Sequence, residues 1–383
     1  MLLNQYKHLL GHENLIIIAQ RENFMFDTFK KTWECSIPSA FFPTTVVHID
    51  DDKQLLAQLS GALSSHYKIE TFSDPDEALR EIIFLGTNYM REEHLSLKND
   101  EDILSYRQGF FDARRFENRL ICIVDYDMPG RNGADLMYVS QLAKFQSKAQ
   151  EEHAYILLTS KDIEDIKEEN PQFKGIKHVF ISKRDKDCIP KLLESINAFH
   201  QNTFQTAGYS TAIALSQNPK EKSSFEFCDK FLPIFNQYIR EHDICEGYLF
   251  DRQGGMIFLD KGANLSWLFV RNEYGIINGL ENAYKYGAPD NIIDLLKSRE
   301  YILSLYEPED FAARDKIDWD KYLLKVDMLK DDAIYKDETI NHLPANYYYA
   351  FTDSFPEHGI DKEKILSFQA FLNHKDTNDS KSE

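Results

Sequence analysis

Hydrophobic residues in the first half of the chain fall into short blocks, and four of these blocks stop at a polar or charged residue. Val46-Val47-His48-Ile49 runs into Asp50-Asp51-Asp52, and Leu120-Ile121-Cys122-Ile123-Val124 into Asp125. Tyr155-Ile156-Leu157-Leu158 runs into Thr159-Ser160, and His178-Val179-Phe180-Ile181-Ser182 into Lys183. Near-continuous apolar runs bounded by turn residues such as Pro129 and Gly130 suit parallel strands covered on both faces. Open α/β sheets bind ligands at the carboxyl ends of such strands, so these polar termini are expected to share one edge.

On adjacent parallel strands the carboxylates of Asp50, Asp51 and Asp125 would lie close together and repel. Raised pKa values would relieve the repulsion, and so would a hard divalent cation with oxygen ligands, such as Mg²⁺. Thr159 adds a hydroxyl and Lys183 a cation. Each residue alone has a plainer use. Asp50, Asp51 and Asp52 could cap a helix before Leu55, Leu56 and Leu59, and Thr159 could cap one starting near Lys161. Lys183 could be solvated and Phe180 could be core. The joint order, at successive strand ends, argues for a site.

Acid pair, acid, hydroxyl and lysine in this order resemble the receiver domain of two-component response regulators, over about residues 45–200. The resemblance implies a flavodoxin-like α/β fold, with a five-stranded parallel sheet in the order 2-1-3-4-5. Asp125 is followed by Met128, Pro129 and Gly133, matching the receiver pattern D-x-x-M-P-x-x-x-G. By the same resemblance Asp125 is the phosphoacceptor, Asp51 a direct Mg²⁺ ligand, and Asp50 a ligand through water. Asp127 contributes its backbone carbonyl to the metal. Thr159 is the switch hydroxyl, Phe180 the switch aromatic, and Lys183 the partner of the phosphoryl oxygens. A carboxylate can act as a covalent nucleophile, and the metal and lysine offset the charge the phosphoryl group brings. The implied donor is a sensor histidine kinase.

The chain departs from the family in two places. Arg184 follows Lys183 where the family usually has a proline. From Asp51 to Asp125 there are 74 residues, more than a minimal receiver uses, and the surplus falls near 85–117. That stretch is charged, yet carries Ile103-Leu104, Phe110-Phe111 and Phe116, and reads as an extended second helix or a helical hairpin. It could be a partner surface or a solvated elaboration.

The remaining pattern divides the chain further. Residues 1–44 form an N-terminal extension in which Phe24, Phe26, Phe29 and Trp33 suit an amphipathic helix ending before Pro38. The last receiver helix is expected over 190–200, and residues 201–224, rich in Gln, Asn, Ser, Thr and Ala, read as a linker. Residues 225–373 read as an α+β output domain. It opens with a helix from Phe225 to Arg240, followed by a β-meander over 247–270 with turns at Asp251-Arg252-Gln253-Gly254-Gly255 and Asp260-Lys261-Gly262-Ala263-Asn264. Helices follow at about 273–287 and 289–299, a strand near 301–305, a charged helix around 318–330, and a strand at Tyr347-Tyr348-Tyr349-Ala350-Phe351. Residues 374–383 read as a frayed tail. Alternation sends Tyr347 and Tyr349 to one face and Tyr348 to the other, which suits core packing better than base stacking.

The net charge of −19 divides as −8 over residues 1–200 and −11 over residues 201–383. An output domain without a basic helix disfavours direct duplex DNA binding. No G-G-D-E-F or E-A-L motif is present. No run reaches about 18 apolar residues, so no membrane span is expected, and the N-terminus lacks a signal-peptide pattern. Five cysteines, without a C-x-x-C pair, fit a reduced, cytoplasmic setting.

The organisation of extension, elaborated receiver and acidic α+β domain resembles the quorum-sensing response regulators of Legionella and its relatives. It implies an autoinducer-linked kinase and a phosphorylation-dependent homodimer. The output partner is unassigned. Two other functions stay open: an output domain that binds or hydrolyses a nucleotide, and a phosphate-independent scaffold.

Overall fold

Central and edge strands of a parallel sheet bury different fractions of their side chains, and this contrast organises the receiver region. The computed structural model describes residues 35–84, 111–147, 153–169, 173, 176–216, 225–305, 317–336, 341–353, 360 and 362–379. They divide into two compact units. The first takes residues 46–84 and 119–199, and the second takes 35–45, 111–118 and those from 200 onward.

The first unit alternates strands and helices, with Thr45 of its first strand and residues 200–216 of its last helix counted in the second unit: β1 (Thr45–Ile49), α1 (Lys53–Leu63), β2 (Lys68–Phe72), α2 (Pro75–Phe84), β3 (Arg119–Asp125), α3 (Gly133–Ser147), β4 (Ala154–Thr159), α4 (Ile163–Glu169), β5 (His178–Ser182) and α5 (Cys188–Ser216). The sheet order is β2-β1-β3-β4-β5, and the strands run parallel. All of β1 and β4, and nearly all of β3, is buried, whereas the edge strands β2 and β5 are mostly half-buried. Alternate residues Val47, Ile49, Cys122, Val124, Tyr155 and Leu157 share a core with Ala78, Leu79 and Ile82 of α2 and Leu136 and Met137 of α3. Val46, Ile121, Ile123, Ile156 and Leu158 between them are equally buried. By strand alternation they point to the opposite face.

α1 starts where the Asp52 carboxylate accepts the backbone N–H groups of Gln54 and Leu55. It buries Leu56, Leu59 and Leu63, one face of a helix, each contributing about 1.5–3 kcal/mol. Pro75 opens α2 at a position whose missing N–H costs no hydrogen bond.

α5 is longer than expected. Residues 201–216 are not a loose connection but the continuation of this helix through Ser216. Phe204, Gly208, Ala212 and Leu215 recur at helical spacing; Phe204, Ala212 and Leu215 are buried, and a Cβ on Gly208 would meet the Ser39 backbone nitrogen at 2.9 Å. A stripe of small residues cut for close packing reads, by composition, as a linker. Residues 217–224 lie outside the described residues, as do 1–34 and 85–110, where the N-terminal helix and most of the insertion were expected.

The second unit holds a six-stranded antiparallel sheet in the spatial order Ala40–Phe41, Ile244–Leu249, Met256–Asp260, Leu265–Arg271, Ala345–Thr352, Asp327–Asp331. The meander and the aromatic strand are where the pattern put them, and Tyr347 and Tyr349 share a core with Phe231 and Phe258. Helices Glu273–Lys285 and Asp290–Lys297 also match.

Two elements differ from expectation. The helix expected from Phe225 is one 3₁₀ turn, Phe225–Phe227, followed by helix Leu232–Glu241. Pro233 lacks a backbone donor and can only sit in the first turn, so the helix begins there. Residues 319–331 are not one charged helix but a single turn, Trp319–Tyr322, and two strands, Leu323–Lys325 and Asp327–Asp331. Pairing with Tyr301–Leu303 and Ala345–Thr352 overrides the helical preference of the charged residues. The end of the chain carries helix Phe368–Asp379, so the tail expected from 374 is helical as far as Asp379.

Candidate functional site

β3 ends at Asp125, level with Leu158 of β4, while Thr159 ends β4 level with Ser182 of β5. Asp50 follows β1 directly. The carboxyl edge therefore gathers Asp50, Asp51, Asp125, Thr159 and Lys183, the expected strand-end residues.

The Lys183 ammonium donates to Asp50 Oδ2 at 2.8 Å and lies 2.9 Å from Asp125 Oδ1. Burial pulls its pKa down, but the hydrogen bonds to Asp50 and Asp125 outweigh it and hold the ammonium above an ordinary lysine. Asp50 is fully buried, and its Oδ1 accepts the Asp52 N–H at 2.9 Å. Burial raises its pKa although Lys183 opposes the shift. Asp125 is 5 % exposed, and its Oδ1 also accepts the Asp127 N–H at 3.2 Å.

The plainer uses weighed for these residues are present as well. Asp52 is the α1 cap, which leaves Asp50 and Asp51 to the pocket. Buried Thr159 accepts the Lys161 N–H at 2.9 Å, and its carbonyl accepts the Lys183 N–H at 2.8 Å. Phe180 is half-buried against the core, 5.6 Å from the Phe173 ring and 5.3 Å from the His178 ring. The loop of Arg184 still lets Lys183 reach both acids.

The loop after Asp125 explains its own residues. Met128 is buried in the core, Gly130 has φ +79°, and a Cβ on Gly133 would stand 2.6 Å from the Asp125 carbonyl oxygen. We expect Gly133→Ala to push the end of β3 aside and cost about 1–3 kcal/mol, read as a lower urea midpoint.

Asp50, Asp51 and Asp125 each offer one carboxylate oxygen, all within 4.8 Å of one another. An all-oxygen set with one exposed and two buried carboxylates fits a hard cation such as Mg²⁺, which keeps several waters. Bound there, the ion would neutralise carboxylate charge and polarise phosphoryl oxygens. Asp51 is exposed, while both oxygens of Asp50 are already engaged.

Two nearby residues escaped sequence reasoning. Lys161 lies 2.5 Å from the Asp127 carboxylate, and nothing but its position two residues after Thr159 signalled it. His48, in the middle of β1, is fully buried, and neither ring nitrogen has a hydrogen-bond partner among the described residues. Burial, helped by the Lys183 charge, lowers its pKa to about 4. The folded state therefore binds fewer protons at His48 than the unfolded chain, and stability falls as pH drops from about 6.5 to about 4. The shift corresponds to about 3 kcal/mol. His48→Leu is expected to flatten this part of the pH–stability curve, measured by urea unfolding without metal.

A parallel sheet in the order β2-β1-β3-β4-β5 with this edge defines the receiver fold of response regulators, here joined to an antiparallel-sheet unit. A solved structure of the Legionella pneumophila response regulator LqsR has the same fold over the two units, with 24 % sequence identity, a TM-score of 0.70, and coverage of 91 % of this chain and 100 % of that one. The Vibrio cholerae chemotaxis protein CheY4 matches 41 % of this chain and 98 % of its own, at 17 % identity and a TM-score of 0.27. A Francisella response regulator receiver domain matches 42 % of this chain and 98 % of its own, at 18 % identity and a TM-score of 0.28. No protein-family model and no curated protein matches the chain.

Proposed function

We propose that this chain is the response regulator of a two-component phosphorelay and that Asp125 is its phosphoacceptor. The observation that carries this is Lys183 bridging Asp50 and Asp125 beside an exposed Asp51, with Thr159 on the neighbouring strand end. Asp125 Oδ1 is held by Lys183 and the Asp127 N–H, which leaves Oδ2 as the attacking oxygen. Oδ2 forms a bond to phosphorus while the bond from phosphorus to the kinase histidine nitrogen breaks, and the nitrogen keeps the electron pair. Lys183 balances the added charge. The Thr159 hydroxyl turns from the Lys161 N–H toward the new acceptor oxygens, and Phe180 fills the space that this movement vacates.

Mg²⁺ is the proposed cofactor, bound by Asp51, Asp125 and the Asp127 carbonyl, with Asp50 acting through water. Hydrolysis of the acyl phosphate, catalysed by the same pocket, resets the switch. The output is a change in dimerisation or docking of the second unit. A net charge of −11 over residues 201–383 speaks against duplex DNA as its direct partner. The resemblance in organisation supports a quorum-sensing kinase as donor and a cytoplasmic setting. Among the described residues, no helix is long and apolar enough to cross a membrane.

The test is incubation of the full chain with acetyl phosphate and Mg²⁺, followed by intact mass and peptide mapping. One added phosphoryl group on the Asp125 peptide, absent with EDTA, is expected. An unmodified chain under both conditions would overturn the proposal.

A further inference from the structure

Helix Glu273–Lys285 of the second unit carries an interior glycine that its own packing does not require. A Cβ on Gly279 would meet no atom within 4 Å. Glycine weakens a helix interior relative to alanine, so the missing side chain has no steric reason within the chain itself. Gly279 lines a cleft bordered by this helix, helix Asp290–Lys297 and strand Tyr301–Leu303. Ile276, Leu296 and Ile302 give it apolar walls, and its empty volume is about 230 Å³, counting the open mouth.

One charged side chain, Arg271, also lines the cleft, and it is 3 % exposed. Its guanidinium donates from Nη1 to the Val270 carbonyl at 2.6 Å and from Nη2 to the Leu303 carbonyl at 3.2 Å, which fixes its plane. The Asp251 carboxylate lies 3.8 Å away, too far for a hydrogen bond, and its Oδ1 is engaged by the backbone N–H groups of Gln253 and Gly255. Asp251 thus offsets the charge of Arg271 without taking one of its N–H groups.

We infer that this cleft binds a small monocarboxylate, its carboxylate on Arg271 and a short alkyl chain between Ile276, Leu296 and Ile302, over Gly279. A guanidinium fork matches a carboxylate, and apolar walls with one anchoring charge are the usual make-up of a small-molecule site. Because Asp251 already offsets Arg271, a phosphate dianion would be repelled where a single negative charge is accepted. Size excludes a nucleotide, since the whole cleft equals only about seven or eight water molecules in volume. A chain of about four to six carbons fills it.

The test is a ligand-observed NMR titration of the full chain with butyrate and hexanoate, and with hexanol as the uncharged control. Hexanoate is expected to bind about tenfold more tightly than butyrate, because each buried methylene adds a factor of roughly three to four. Hexanol is expected to bind at least about tenfold more weakly than hexanoate. Arg271→Lys keeps the charge but loses the fork, and should weaken hexanoate about tenfold while leaving hexanol unchanged. Gly279→Leu separates binding from folding. Leucine is a good helix former placed in open space, so the urea midpoint should hold or rise while hexanoate binding is lost. Equal binding of hexanoate and hexanol, full hexanoate binding by Gly279→Leu, or no binding of either acid at about 10 mM overturns the inference. A lowered midpoint in Gly279→Leu overturns it too, because the space would then already be filled. None of these outcomes bears on phosphorylation at Asp125.

Discussion

Asp125→Asn is expected to abolish phosphoryl uptake from acetyl phosphate while leaving the chain folded. The amide is nearly the same size, so the buried corner of the pocket stays filled. An amide oxygen is a far poorer nucleophile than a carboxylate, and the negative charge that pairs with Lys183 at 2.9 Å is gone. Lys183→Met tests the other half of the chemistry. It keeps the nucleophile but removes the cation between Asp50 and Asp125, and uptake should slow by about 10²–10³-fold. Intact mass with time separates these outcomes, and sizing of each treated sample reports any change in oligomeric state. Full modification of Asp125→Asn would move the acceptor to another residue.

The largest stability effect is expected at Arg115. Its guanidinium and the Glu246 carboxylate are both fully buried, joined by two hydrogen bonds of 2.7 and 3.1 Å. Arg115 also donates to the carbonyls of Leu366 and Asp112, and Tyr248 donates to Glu246 at 2.7 Å. Removing one member of a buried pair strands the other, so Arg115→Met should cost about 3–5 kcal/mol. Adding Glu246→Leu should restore part of this, though not all, because two backbone carbonyls still lose their donor. Burial already raises the Glu246 pKa, against the pull of Arg115. A carboxyl whose folded pKa exceeds its unfolded value stabilises at low pH and loses that contribution as pH rises through the folded pKa. Without Arg115 the shift grows, so the deficit in Arg115→Met should be smaller at pH 5 than at pH 8. Urea unfolding of the two variants at both pH values measures this, and equal losses for the single and double substitutions would contradict it.

Much of the receiver region was legible because its chemistry is written in strand ends. A fully buried strand must be apolar until it leaves the sheet, so the first polar residue marks the edge, as at Asp50, Asp125, Thr159 and Lys183. The second unit was less legible. Its meander announced itself through alternation and turn residues, but Leu323–Lys325 and Asp327–Asp331 are strands only because distant strands pair with them. Helix α5 shows the opposite failure, since Gly208 and Ala212 mark close packing that composition alone cannot tell from a linker. His48 and the Arg115–Glu246 pair carried no local signal, because burial of a polar side chain is a property of the whole fold.

The second unit is assembled from widely separated stretches of one polypeptide. Ala40–Phe41 pairs with Ile244–Leu249, and Arg115 binds both Glu246 and Leu366. On the ribosome, the first pieces of this unit emerge long before the last, and must wait unpaired while the intervening region folds. Loop closure over such separations is slow, so maturation is expected to finish only after release of the complete polypeptide. A chain cut at residue 224 would leave Ala40–Phe41 without the strand it pairs with, and would therefore be a poor surrogate for the longer chain.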